Sequence, residues 1–333
     1  QIVGFRQSID GKVGTKTDTY MQLVDNIRKY LFLEAKHTNW RANAWYLERF
    51  DFEEGRMNPA REVRRFTFGQ IENKKNRDLL KLYMKYQLGV SQKSSIQTIR
   101  GQYYDILAFL LYLDGVGISA VAVSAEYMEN YINYLDEKGI QPEGFNRSLI
   151  SIARFYGYIV TTKEISKAPL YFDYYFKNTY ARHNDRAVSE ESQREILHNL
   201  KKFPVHLRLM YLNLWCIGLR INEVCVIKGG AYYWDGNDAW IKIYQNKMKT
   251  EKYVPIPALL YQAMMKYITE HDIGADEYIF KNKRGGAYDA GTFCKQFKHC
   301  LEDAGIKNYT FKSHDFRHTV GTYLYAHGAS IEA

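Results

Sequence analysis

The chain has 333 residues and carries 46 Lys and Arg against 37 Asp and Glu, a formal net charge of +9. Its 46% hydrophobic and 25% charged residues are typical of globular proteins and exclude a mainly disordered chain. The length predicts about two domains. The excess charge is even, with 12 basic and 9 acidic residues in 1–70, 15 and 12 in 71–186, and 19 and 16 in 187–333. We therefore expect any polyanionic partner to contact the whole molecule.

The cysteine count and the hydropathy pattern restrict the class of protein further. The four cysteines are too few for a disulfide scaffold and form no C-x-x-C pair, which predicts reduced thiols in a cytoplasmic protein. No run of 18 apolar residues occurs, so we expect no membrane span. The chain begins at Gln1 rather than Met, which suggests a fragment.

We predict that residues 1–70 form an N-terminal arm or accessory region of uncertain structure. A helix is expected over about Tyr20–Glu34, where Leu23, Ile27 and Leu31 recur at helical spacing. Downstream, tryptophans alternate with arginines around positions 40–49. This pattern fits either core aromatics beside solvated arginines or a surface that faces nucleic acid.

Residues 71–165 predict a compact helical domain. Helices are expected over Arg77–Leu88, Ile99–Leu113, Ala125–Lys138 with Ser124 as its N-cap, and Asn146–Val160. Residues 166–186, which end in the polar sequence Arg-His-Asn-Asp-Arg, are predicted to be a linker.

We predict that residues 187–333 form a second domain, which contains both helices and strands. Its expected helices are one capped by Ser189, then Val205–Trp215, Ala258–Glu270, Thr292–Ala304, and Asp315–Ala326 capped by Ser313. Two alternating segments, Trp240–Tyr244 and Tyr253–Ile256, predict a β-hairpin with a lysine-rich turn.

Three polar clusters in this second domain are candidates for a functional site. They are Gly-Leu-Arg-Ile-Asn-Glu at 218–223, the hairpin sequence from Lys247 to Pro255, and His-Asp-Phe-Arg-His-Thr at 314–319. Each cluster by itself has an ordinary structural explanation: a helix ion pair, a solvated turn, or a polar helix face.

Together, in this order, the three clusters resemble those of the tyrosine recombinase (phage integrase) family. Arg220 matches the arginine of its G-L-R-x-x-E sequence, and His314 and Arg317 match its H-x-x-R sequence. Lys247, or alternatively Lys249, matches the hairpin lysine that precedes a V-P-[LI] strand. The resemblance covers residues 187–333 and implies a mainly α fold with a small antiparallel sheet, in which a helical, SAM-like core-binding domain precedes the catalytic domain.

The resemblance implies cleavage and rejoining of duplex DNA through a 3′-phosphotyrosyl bond, with no metal and no cofactor. Arg220 and Arg317 would stabilise the charge on a pentavalent phosphorane, since guanidiniums bind phosphate oxygens with two parallel donors. His314 would transfer a proton or hold an oxygen, and the hairpin lysine would protonate the leaving 5′ oxygen. The helix dipole behind Ser313 would favour the anion. Glu223 and Asp315 would orient the arginines.

The sequence also departs from the family pattern. The family carries a second His or Trp and then the nucleophilic tyrosine after H-x-x-R, whereas this chain ends 16 residues after Arg317. Tyr323 and Tyr325 lie too close to Arg317, on the same predicted helix, to be the nucleophile. We therefore expect this chain to bind DNA without forming the covalent bond.

The favoured function is that of a site-specific recombinase that integrates, excises or transposes a mobile element. It would clamp double-stranded DNA between its two domains, as a dimer on each site and a homotetramer in synapsis. The alternatives are a relative that uses the same chemistry, such as a type IB topoisomerase or telomere resolvase, and a non-catalytic DNA-binding regulator derived from a recombinase.

Overall fold

The computed structural model describes residues 17–53, 55–89, 94–180, 186–245, 250–306, 309 and 311–329. The chain divides into two compact units, of which unit 1 is Gln1–Glu53 with Val63–Tyr180 and unit 2 is Glu54–Glu62 with Ala181–Ala333. Helices dominate both units, and the described strands form one two-stranded and one three-stranded antiparallel sheet. The predicted mainly α class with a small antiparallel sheet is therefore confirmed.

Unit 1 is built on three helices that pack on one another. Its elements are α1 (Thr17–Glu34), β1 (Ala44–Tyr46), β2 (Arg65–Thr67), α2 (Lys74–Gly89), α3 (Ile96–Gly115), α4 (Ala125–Glu137) and α5 (Pro142–Thr161). Helices α2, α3 and α5 contact each other and enclose an apolar core. Ser124 Oγ accepts a hydrogen bond from Tyr127 N, which confirms the predicted N-cap of α4.

The region around α1 combines an exposed apolar face with a buried aromatic cluster. Leu23, Ile27 and Leu31 mark α1 as amphipathic, but each is more than half exposed. Trp45 and Tyr46 of β1 are buried, so the core interpretation is right for these two aromatic residues. Arg49 donates to the carbonyls of Leu33 and Ala35 and so caps the C-terminal end of α1.

A buried asparagine fixes the loop that follows α3. Asn76 of α2 is fully buried, and its Nδ2 donates to Asp114 Oδ1 and to Ile118 O, both at 3.2 Å. Its Oδ1 accepts from Ala120 N at 2.7 Å. The loop backbone is thus satisfied by one side chain of a neighbouring helix.

Unit 2 surrounds a central apolar helix. Its elements are α6 (Glu190–Asn199), α7 (Val205–Ile217), α8 (Ile221–Val224), β3 (Tyr232–Trp234), β4 (Ala239–Gln245), β5 (Thr250–Ile256), α9 (Ala258–Glu270), α10 (Ala290–Asp303) and α11 (Asp315–Ala326). Helices α8, α9 and α11 all contact α7. The sheet has the order β3-β4-β5, and its short first strand was missed because three residues after a turn carry little periodicity.

One predicted helix cap is wrong, and another is confirmed. Ser189 Oγ accepts from Ser192 N at 3.2 Å at the start of α6, as predicted. At the start of α11, however, the N-cap residue is His314 rather than Ser313, and it makes no side-chain capping bond. The turn before α11 is closed instead by Asp315, whose Oδ2 accepts from Lys312 N at 2.7 Å.

The domain divisions at residues 70, 165 and 186 stay predictions. Residues 17–53 fall in unit 1 together with α2–α5. The first part of the predicted linker contains a short 3₁₀ helix, Phe172–Tyr175, in which Phe172 stacks on Tyr156 of α5. Residues 181–185 of the predicted linker lie outside the described residues. No helix in the described ranges has the length and apolarity needed to cross a membrane.

We predict that Asn76→Ala destabilises unit 1 by about 2–3 kcal/mol, because the buried N–H of Ala120 and the partly buried oxygens of Asp114 and Ile118 lose their partner. Urea unfolding monitored by circular dichroism measures the loss. The matched control is Asn130→Ala on the exposed face of α4, which gains the same helix propensity and should stay within about 0.5 kcal/mol of the wild type. Equal stability of the two variants would contradict the role of Asn76.

Candidate active site

An open cavity of about 510 Å³ in unit 2 brings the predicted site residues together. It is lined by Arg220, His314, Arg317, His318, Gly321, Thr322 and Tyr325. Arg220 comes from the start of α8, and the other six residues come from α11 and the residue before it. Two of the three sequence clusters therefore meet at one place, although they lie far apart in the chain.

Arg220 is held by the carboxylate of Glu223. Glu223 Oε1 accepts from Arg220 Nη1, and Oε2 accepts from the backbone N of Arg220, each at 2.8 Å. The Glu223 side chain is 6% exposed and that of Arg220 is 35% exposed. A buried carboxylate thus fixes a guanidinium that still reaches the cavity, as expected for an orienting residue. A guanidinium has five N–H donors, and this carboxylate oxygen occupies only part of them.

Arg317 is held by the C-terminal end of α7. Its Nη1 donates to Gly218 O at 3.3 Å, across 99 residues of sequence. Gly218 ends α7 in the left-handed conformation, with φ of +70°, and a Cβ there would lie 3.1 Å from Val320 Cβ. Glycine therefore permits both the turn and the close approach of α11. The negative end of the α7 dipole favours the Arg317 cation.

Thr319 anchors α11 to the segment before α6. Its Oγ1 accepts from Val188 N at 2.8 Å and donates to Asp315 O at 2.9 Å. Because His314, Arg317 and His318 occupy the first turns of the same helix, this anchor fixes all three relative to the rest of unit 2.

His314 and His318 form a pair at the edge of the cavity. Their rings lie 4.9 Å apart in an edge-to-face arrangement. Burial lowers the pKa of His314 below its ordinary value of 6.5, and His318, Arg220 and Arg317 lower it further, while Asp315 opposes them. His314 is therefore neutral at pH 7 and can accept a proton or a hydrogen bond.

Sequence reasoning missed His318 and the structural role of Gly218. The signal for His318 was its position four residues after His314, which places both on one face of a helix. Nothing local marks Gly218 as the contact point of α11, because its partner Val320 lies a hundred residues away.

The two lysine candidates, Lys247 and Lys249, lie outside the described residues. The strands on either side are described, and Gln245 of β4 pairs with Thr250 of β5. The assignment of either lysine to the site therefore stays a prediction. Within the described ranges, no cluster of three or more His, Cys, Asp or Glu could hold a metal ion.

Comparisons with known proteins give a consistent result. Residues 186–333 match the phage integrase family. Transposase B from transposon Tn554 of Staphylococcus aureus is 25% identical over 333 residues, which cover 95% of this chain and 52% of that protein. Tyrosine recombinase XerC of Halalkalibacterium halodurans is 24% identical over 277 residues, which cover 79% of this chain and 88% of that protein.

The fold is also found among solved structures. A lambda integrase tetramer bound to a Holliday junction superposes with a TM-score of 0.57 at 14% identity, over 94% of this chain and 84% of that chain. This likeness confirms the predicted fold class. The chain spans about half the length of the transposon relatives that it matches.

We predict that the His314 ring titrates below pH 6.5 and that His318→Asn raises its pKa, because a neighbouring positive charge is removed. Since the folded state disfavours the protonated ring, His314 makes no pH-dependent contribution above pH 6.5 and destabilises unit 2 as the pH falls below that value. NMR titration of the imidazole carbons measures the pKa, with His314→Asn as the assignment control. A value at or above 6.5 that His318→Asn leaves unchanged would contradict this environment.

Proposed function

We propose that this chain acts as a tyrosine recombinase of the phage integrase family, whose model matches residues 186–333, and that its cavity holds the scissile phosphate of duplex DNA during site-specific recombination. The observation that carries the proposal is the convergence of Arg220, His314 and Arg317 at one open cavity. Two guanidiniums and a neutral imidazole form a receptor for a phosphate diester and for the additional charge of its transition state.

The two arginines would stabilise the pentavalent phosphorane. Each planar fork can bind two non-bridging oxygens, and each guanidinium is already oriented, Arg220 by Glu223 and Arg317 by the Gly218 carbonyl. Such preorganised donors require no rearrangement when the charge develops. This arrangement supports phosphoryl transfer by positioning and electrostatics.

His314 and the hairpin lysine would carry out proton transfer. The lowered pKa keeps His314 neutral, so it can accept the proton of an attacking hydroxyl or hold a phosphate oxygen. We assign protonation of the leaving 5′ oxygen to Lys247, with Lys249 as the alternative. A lysine on a turn can be placed at the scissile bond when DNA is bound.

We propose that the nucleophilic tyrosine is not among these 333 residues. Tyr325 is the tyrosine that lines the cavity, and it lies eight residues after Arg317 on the same helix. That spacing separates the two Cα atoms by about 12 Å along the axis, which the side chains would have to bridge for the Tyr325 oxygen to come within about 3.5 Å of a phosphorus bound by Arg317. Tyr325 would therefore border the DNA rather than attack it.

The proposed ligand is double-stranded DNA, bound by both units as a clamp with phosphate contacts dominating. The net charge of +3 in each of the segments 1–70, 71–186 and 187–333 supports contacts along the whole chain. The relatives include a transposase and a lambda integrase tetramer on a Holliday junction, which supports a homo-oligomeric assembly on DNA for this protein. We propose a dimer on each site and a tetramer in synapsis, acting in integration, excision or transposition of a mobile element.

We predict that DNA affinity falls steeply with salt, because phosphate contacts release condensed counterions. For six to ten such contacts, the association constant should drop about 10³- to 10⁵-fold between 50 and 200 mM salt. Fluorescence anisotropy with a labelled duplex measures the slope of log affinity against log salt. A slope near zero would contradict the clamp.

We predict that Arg317→Ala in the complete protein lowers the rate of covalent protein–DNA complex formation on a nicked duplex by about 10²- to 10³-fold, with DNA affinity largely retained. The reason is the loss of a preorganised donor that acts on the transition state. The matched control on the same helix is Tyr325→Phe, which should cleave at the wild-type rate. Normal cleavage by Arg317→Ala would refute the proposed site, and loss of cleavage in Tyr325→Phe would refute the proposed place of the nucleophile.

A further inference from the structure

Residues 55–61 belong to unit 2, although the chain before and after them belongs to unit 1. We call them the 55–61 segment. The rest of unit 2 resumes more than a hundred residues later in the sequence. This segment is therefore held in unit 2 by tertiary contacts rather than by sequence proximity.

The 55–61 segment is packed as an integral part of the core. Ala60 is fully buried within the main apolar cluster of unit 2, and Arg56 is 6% exposed. Residues Pro59–Arg61 form a 3₁₀ turn, with Pro59 in its first position and Asn58 Oδ1 accepting from Ala60 N at 2.9 Å. Proline and the cap fix the turn before it meets its neighbours.

This turn contacts α8 and α10. Helix α8 has only four residues, starts immediately after Arg220 and contains Glu223. So short a helix has little stability of its own and depends on the surfaces packed against it. The position of the Arg220–Glu223 pair therefore depends partly on the 55–61 segment.

The same segment also contacts the strand that leads to the hairpin turn. Gly55 has φ of +77°, and a Cβ at this position would lie 2.8 Å from Tyr244 Oη and 3.6 Å from Tyr244 Cε1 and Cζ. Tyr244 is half-buried and is the penultimate residue of β4. A side chain at position 55 would therefore displace the hydroxyl of this tyrosine.

We propose that the 55–61 segment is a positioning element of the recombinase site: Ala60 and its turn support α8 behind Arg220, and Gly55 leaves room for Tyr244 near the end of β4. The inference rests on the proposed function, since the positioned groups are the proposed phosphate receptor and the hairpin. It assigns residues of the N-terminal region to the catalytic unit, where they act through other residues rather than on DNA.

The test is Gly55→Ala in the complete protein, with covalent complex formation on nicked duplex measured at saturating DNA and affinity measured separately. We expect the cleavage rate to fall about ten- to a hundredfold, because displacement by a fraction of an ångström to an ångström misaligns reacting groups. The dissociation constant should be unchanged. The matched control is Gly285→Ala, which has nearly the same φ of +83° but open space around its Cβ, and which should cleave normally.

Rescue distinguishes positioning from a general loss of structure. Adding Tyr244→Phe to Gly55→Ala removes the atom at 2.8 Å and leaves the nearest contacts at an ordinary 3.6 Å, so the double variant should recover the wild-type rate. The urea midpoints of the double variant and of Gly285→Ala should shift alike, because both carry the strain of a positive φ without the close contact.

The inference is overturned if Gly55→Ala cleaves as Gly285→Ala does, or if Tyr244→Phe fails to restore the rate. Arg317→Ala is measured in parallel. If that variant also cleaves normally, the proposed function itself fails; if it is inactive while Gly55→Ala is normal, only the positioning role fails.

Discussion

The site depends on one electrostatic constraint, which is that two guanidiniums and two imidazoles share a single cavity. Like charges repel, so such a cluster forms only when each cation has a negative partner within the fold. Arg220 has the buried Glu223 carboxylate, and Arg317 has the C-terminal carbonyl of α7. Burial is the main cause of the lowered pKa of His314, and the nearby His318 and the two arginines lower this pKa further, since an additional positive charge is disfavoured there.

Helix α7 supports both halves of this arrangement. Its C-terminal end receives Arg317, and the chain then turns through Gly218 directly to Arg220. The missing side chain of Gly218 allows α11 to approach, with Val320 in the space that a Cβ would occupy. The end of α7, Gly218 and the two arginines are therefore structurally linked, and the backbone geometry sets the spacing of the guanidiniums.

The two units of the fold do not follow the order of the sequence. The 55–61 segment enters the core of unit 2, and the chain then returns to unit 1 for the next hundred residues. No local pattern could have shown this, because Ala60 and Gly55 are ordinary loop residues by composition. Their significance comes from what they contact, namely α8 and Tyr244, and those contacts exist only after the chain has folded. Strand β3 was missed for a local reason, because three residues after a turn carry little periodicity.

The sequence by itself determined the helices with strong apolar periodicity, the hairpin, and the identity of Arg220, His314 and Arg317 as candidate site residues. Periodicity and motif spacing are local properties, and they can be recognised in the sequence without knowledge of the fold. Only the tertiary structure decided that these residues share one cavity, that His318 joins them, and that the end of α7 holds Arg317. Electrostatic and packing interactions depend on distance in space, and a linear pattern does not contain that distance.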